Sequence, residues 1–287
     1  MAEIIDYLGD PWTLEFMRRG LIAAVAVGAV AAVVGSFVIL KGMAFIGDAL
    51  PHASFGGIAA AFVLGGNLFL GGAIAAVLTA LLIAFVSRRG LVKYDTAIGI
   101  LYVGAFAAGL LIISRQTNYA PDLFSFVFGN VLGVSWSDVW TTAIAAAVIV
   151  VLVVVFYKEL LFVTYDPAMA AAAGLPVAAV QYGLMALIGV TTVIGLQTVG
   201  IVLVVALLVT PAATAQLLTR RLPAMMAVGA VIGGLSSLGG LYIAYYADVS
   251  ASAAIVLTAT AFFLLALLFA PARGLLWQRR SLPPEPA

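Results

Sequence analysis

The strongest constraint on this chain is where charge is missing. Residues 20–40 carry no charged side chain, and neither does any position from Pro167 to Thr219. About 20 consecutive apolar residues are what a helix needs to cross the hydrocarbon core of a bilayer. Hydrophobic residues make up 65% of the sequence and charged ones 9%, against roughly 25% charged in a soluble domain. Such a chain cannot cover itself with a polar surface in water. The expected class is an all-α polytopic membrane protein.

Nine spans are expected, near 20–40, 43–66, 68–86, 96–114, 138–157, 178–196, 199–217, 223–245 and 251–270, with eight or ten as the neighbouring counts. Residues 1–19 read as an N-terminal interfacial segment with Trp12 at headgroup depth. Glu3, Asp6 and Asp10 stand where a signal peptide would be basic. Residues 20–272 then form the transmembrane domain, and 273–287 a Pro-rich cytoplasmic tail.

Two polar breaks interrupt the spans. Residues 123–134 are apolar but too few to cross, which suits a short helix near the surface. Within 158–176, Asp166 can cap free N–H groups, Pro167 fits a first helical position, and the alanines propagate a helix that Gly174 ends. With the N-terminus outside, ten of the 13 Lys and Arg residues fall in inside loops and three outside. That asymmetry places the Asp166 helix in the cytoplasm.

Inside the second expected span lies Gly47-Asp48-Ala49-Leu50-Pro51-His52. Asp48 is the only charged residue between Lys41 and Arg88, and His52 is the only histidine in the chain. At i and i+4 on a helix they share one face. Ionisable residues in a membrane face a cavity, a partner or a bundle interior. One reading is an Asp–His hydrogen bond that fixes packing; the other is a cation site on a transport path. Pro51 leaves the Gly47 carbonyl without a helical donor, and Gly47, Gly56 and Gly57 allow close helix approach. A helix beginning near Gly42 puts His52 roughly 15 Å along, near the middle of the bilayer. One Asp and one His cannot fill a shell of four to six ligands. Two copies meeting near a two-fold axis supply two of each.

Elsewhere the polar residues suit packing or loops. Asp122, Glu159 and Asp248 read as loop or interface charges, and Gln197 and Thr198 as helix-packing groups. Pro211 is tolerated in a span where neighbours satisfy the backbone. The absence of cysteine excludes disulfides and thiolate metal sites. No basic patch suits nucleic acid. No phosphate-binding loop is present, so any ATPase is a separate chain. An intramembrane protease is a remote alternative: Phe45-Ile46-Gly47-Asp48 lacks the first glycine of the aspartyl motif, and Gly234-Leu235-Ser236-Ser237 misses the serine one.

Four stretches, residues 43–53, 122–129, 166–174 and 199–215, closely resemble the metal-ion permease subunits of bacterial ABC importers, the ABC-3 family serving zinc and manganese. The resemblance runs from about residue 16 to 270. It implies a transport subunit in the bacterial cell membrane, similar in architecture to cobalamin- and siderophore-type permeases. It implies Asp48 and His52 as metal ligands. It also implies that Asp166, Pro167, Ala168, Met169, Ala170 and Gly174 belong to a helix that couples to a cytoplasmic ATPase. Two permease subunits, a homodimer, would form the path, and an extracytoplasmic binding protein would deliver the metal. No cofactor is held permanently; Zn2+ or Mn2+ is cargo. Histidine suits zinc and carboxylate suits manganese, and the scarcity of other oxygen ligands leans towards zinc. A permease for iron-siderophore or cobalamin is the nearer alternative.

Overall fold

A computed structural model describes residues 10–88, 90, 92–115 and 131–270. Helices and turns account for all of its regular structure, with no strand among the described residues. The long helices are α1 (Glu15–Leu40), α2 (Ile46–Val63), α3 (Leu68–Arg88), α4 (Tyr94–Ser114) and α5 (Trp136–Val155). Two short helices follow, α6 (Tyr157–Tyr165) and α7 (Pro167–Ala172). The last four are α8 (Val177–Val199), α9 (Ile201–Leu218), α10 (Leu222–Ala247) and α11 (Ala251–Phe269). Eight of these are long and apolar enough to cross a bilayer. The other long helix is α2, of 18 residues. It matches α9 in length, so composition sets it apart: Asp48, Pro51 and His52 dilute its apolar content.

Side-chain contacts sort the helix ends into two groups. At one end, Trp136 at the start of α5 donates its Nε1–H to Glu15 at 2.9 Å. Arg18 lies 5.3 Å over the same indole. Gln197, near the end of α8, reaches Asp138 in the first turn of α5 at 3.5 Å. At the other end, Lys41 after α1 sits 5.9 Å over the ring of Tyr94, which begins α4. Arg88, which ends α3, stacks 5.6 Å over Tyr182 early in α8. Burial of the Lys41 ammonium pushes its pKa below the ordinary value. The second group carries the greater density of Lys and Arg in the sequence, as the positive-inside expectation for a cytoplasmic end would have it.

Helix α1 runs through the middle of the bundle, packed against α5, α8, α9 and α10. Glycine makes this possible where backbones nearly touch. A Cβ on Gly28 would lie 2.7 Å from the Gly233 oxygen, and one on Gly233 2.3 Å from the Gly28 oxygen. Small residues at such crossings replace the hydrophobic drive that lipid cannot supply. Around this core the outer helices present apolar side chains outward, such as Leu78, Ile144 and Leu257.

Three expectations change. Helix α1 begins at Glu15, so the interfacial segment expected over 1–19 is shortened and Arg18 and Arg19 lie in the first turns of a spanning helix. The break after 158 holds a further helix, α6, of nine residues. It buries Leu160 and Val163, and at that length its sequence reads as an interruption rather than an element. The third change is where the helix that carries His52 begins: at Ile46 rather than near Gly42. Residues 1–9, the tail at 273–287, the 122–129 stretch and most of the short helix expected over 123–134 lie outside the described residues. Of the last, Val131–Gly133 forms a 3-10 turn.

Candidate functional site

The site begins with the way α1 stops. Gly42 adopts φ +66. Its N–H bonds the Ile39 carbonyl at 3.1 Å, while that of Met43 reaches back to Val38 at 3.0 Å. This is a Schellman closure, and glycine is the residue that adopts the left-handed turn without a Cβ penalty. Met43 and Val38 are both fully buried beside it. The chain then tightens: the N–H groups of Ile46, Gly47 and Asp48 bond carbonyls three residues back. Helix α2 starts at Ile46 rather than near Gly42. His52 therefore lies six residues in, roughly 9 Å at 1.5 Å per residue. Asp48 is the third and His52 the seventh of the 18 residues of α2, because the Schellman turn consumes the residues that a longer helix would have used.

Asp48 occupies the first turn of α2, where the helix dipole favours a negative charge. One turn on, His52 Nδ1 lies 2.7 Å from the Asp48 main-chain oxygen and 3.6 Å from its carboxylate Oδ1. A carbonyl only accepts, so Nδ1 carries the proton and donates. The lone pair of the neutral ring is then on Nε2, the atom left to bind a metal. A main-chain carbonyl that fixes the tautomer of a ligating histidine is the usual arrangement around protein metal sites. From α4, Tyr102 and Phe106 approach the imidazole edge-on, with centroids at 6.4 and 6.0 Å. Phe106 also packs on Phe55 of α2, at 5.3 Å. These rings pack against the imidazole.

On its other sides α2 is fixed closely. A Cβ on Gly47 would press on Leu208 and Val209 of α9, each at 3.3 Å. One on Gly56 would meet the Ala105 oxygen of α4 at 2.5 Å, and one on Gly57 the Gly71 oxygen of α3 at 2.0 Å. Pro51 is buried within α2, and without an N–H it leaves the Gly47 carbonyl free of its helical donor. Yet the pair itself is open: His52 is 35% and Asp48 49% exposed in the single chain. Among the described residues no third His, Cys, Asp or Glu joins them.

The other expected residues lie apart from this pair. Asp166 accepts from the Met169 N–H at 2.9 Å and caps α7, with Pro167 in its first turn. Gly174 takes φ +83 just beyond. Ala168 and Met169 are exposed, whereas Ala170 is buried against the bundle. Pro211 is buried inside α9. Thr198 turns its hydroxyl to the Ile194 carbonyl. Asp248 ends α10 in an exposed left-handed conformation, at φ 53. Sequence reasoning missed Tyr102 and Phe106. Their i, i+4 spacing is the one available signal, and it is common in spanning helices.

With this geometry in hand, similarity to known proteins is informative. The ABC 3 transport family matches residues 13–270. The manganese transport system membrane protein MntC of Halalkalibacterium halodurans is 43% identical over 276 residues, covering 96% of this chain and 94% of that protein. MntC of Listeria monocytogenes is 46% identical over 266 residues, covering 93% and 95%. Among solved structures, PsaBC from Streptococcus pneumoniae, determined in complex with Fab, superposes with a TM-score of 0.82 at 38% identity, over 96% of this chain and 99% of that one. The chain belongs to the ABC 3 transport family, as an all-α, multi-pass protein of the bacterial cell membrane.

Proposed function

We propose that this chain is the membrane permease of an ATP-driven importer for a divalent transition metal, with manganese as the first cargo to test. In this reading Asp48 and His52 hold the ion in transit. The observation that carries it is the pair's geometry: Nδ1 engaged, Nε2 available, a carboxylate beside it, and both groups half exposed on a membrane helix. Ionisable groups are not left facing lipid. A second copy of the chain meeting at this face would enclose them. Two copies bring two carboxylates and two imidazoles, which offset a 2+ charge and leave remaining positions to water or main-chain oxygen such as the Gly47 carbonyl.

The preference for manganese comes from the relatives, whose names specify it, and it replaces the leaning towards zinc. Nitrogen and oxygen ligands accommodate either ion. A large chelate such as a siderophore or cobalamin would need a wide pathway lined by contacts to it, and one Asp–His pair per chain suits a bare ion better. The exposed α7, with its capped start, is the proposed contact for a separate ATPase chain. The opposite end of the bundle would receive a metal-loaded binding protein. Alternating access driven by that ATPase would expose the Asp48–His52 face first to one side and then to the other.

The test is uptake of radiolabelled manganese by proteoliposomes holding the full importer, with zinc as competitor. Uptake should require ATP and fall to background in Asp48→Ala and His52→Ala variants that still assemble with the ATPase. Wild-type accumulation in either variant would refute the site. Zinc transport in preference to manganese would reassign the cargo.

A further inference from the structure

Between α5 and α8, at the end of the bundle marked by Lys41 and Arg88, lies a groove of about 850 Å³. That is the size of a small-molecule site, roughly 300–1,000 Å³. Its walls include Val148 and Leu152 of α5, Phe156 just after that helix, and Gly183 and Leu187 of α8. Leu175, from the loop after α7, closes it towards the cytoplasmic end. Val148 and Phe156 are about half exposed, so the groove opens towards the surroundings of the bundle. For a membrane protein those surroundings are acyl chains.

One lining residue breaks the pattern. Among the described residues, Glu159, in the first turn of α6, is the only charged group in the wall. The side chain is only partly buried, but its Oε2 is enclosed and has no hydrogen-bond partner among the described residues. A buried carboxylate oxygen without a donor is costly. The residue therefore points to a donor that arrives with whatever fills the groove. A second observation concerns Gly183. Gly28, Gly57 and Gly233 are required by backbones that almost touch them, whereas a Cβ on Gly183 would meet nothing within 4 Å. Among the described residues its missing side chain spares no contact, and it leaves the groove open.

We propose that this groove binds an aminophospholipid of the cytoplasmic leaflet, with an acyl chain between α5 and α8 and its primary ammonium on Glu159. The chemistry selects the headgroup. A primary ammonium offers three N–H donors to a carboxylate. A choline headgroup carries the same charge with no N–H, and a glycerol headgroup carries no cation. Because Leu175 and Pro176 belong to both the groove and the α7 arm, the lipid would buttress the segment proposed to meet the ATPase.

Native mass spectrometry of the full-length protein tests this directly. The delipidated protein is exposed in turn to phosphatidylethanolamine, phosphatidylcholine and phosphatidylglycerol of identical acyl chains. The ethanolamine lipid should be retained about tenfold better than the other two, as expected for one charge-assisted hydrogen-bonding group. Glu159→Gln should abolish that preference while leaving chain-dependent binding. Gly183→Leu, placed in open space and so compatible with folding, should lower retention of all three. Equal retention of ethanolamine and choline lipids by the wild type would overturn the proposal. So would a preference that survives Glu159→Gln, or retention unchanged in Gly183→Leu. A photo-crosslinker at Val148 that captures a protein chain instead of lipid would also overturn it.

Discussion

Helix α2 and the α6–α7 arm are built on opposite terms. In α2 almost nothing is local. Its start is set by the Schellman turn of the preceding helix, its position by glycines pressed on three other helices, and the His52 ring by two aromatics from α4. In α7 almost everything is local: an Asp166 cap, a proline in the first turn, an alanine run and a left-handed Gly174. Both present unpartnered groups, but of different kinds. The α2 face leaves two ionisable groups half exposed, which a membrane does not leave facing lipid, and in the proposed reading a second copy covers it. The α7 face exposes a small, self-sufficient helix that water tolerates. The first resembles half of a binding site and the second a finished docking element.

If that contrast holds, perturbations of α2 should be severe and those of α7 mild in stability but specific in function. The largest effect is expected on uptake. Asp48→Ala and His52→Ala should each cost at least about 100-fold in manganese uptake, exceeding the loss from removing a mere supporting group. Next comes Gly57→Leu. Even the first added carbon would sit 2.0 Å from the Gly71 oxygen, so α2 and α3 must separate, at a cost of about 3 kcal/mol. A thermal transition unchanged from wild type would mean that α2 is far less tightly held than the contacts indicate.

On the α7 side, Ala171→Trp should leave stability within about 0.5 kcal/mol, as for other exposed positions. It should nonetheless uncouple ATP hydrolysis from the arrival of loaded binding protein. An ATPase rate that still responds normally to that protein would remove α7 from the coupling path. The smallest effect is expected from Asp166→Ala, which deletes the cap to Met169 and should cost about 1 kcal/mol of local helix stability. Faster hydrogen exchange confined to the first turn of α7 would report it; a global loss of stability would show that the arm is not self-contained.

The same contrast explains what the sequence revealed. Uncharged runs of spanning length located the membrane helices to within a few residues, because the hydrocarbon core imposes length and polarity directly. The α7 helix was legible in full, since its caps are written in adjacent residues. The pairing of Asp48 with His52 was legible from i, i+4 spacing. Its depth was not. Gly42 could have continued a helix or ended one, and only the burial of Met43 against Val38 decides for the turn. Nor could the sequence assign the histidine tautomer, which follows from a main-chain oxygen 2.7 Å away. Tyr102 and Phe106 stayed hidden because aromatics in an apolar span carry no mark of what they touch. Helix α6 was missed because its nine residues are apolar enough to bury but too few to cross.

The central claim is that two Asp48–His52 pairs, one from each of two copies, share one ion. The most direct measurement is the ratio of bound Mn2+ to permease chains in the assembled complex, at saturating metal. The account predicts one ion for every two chains, lost in His52→Ala. One ion per chain, or a ratio unchanged by His52→Ala, would contradict it.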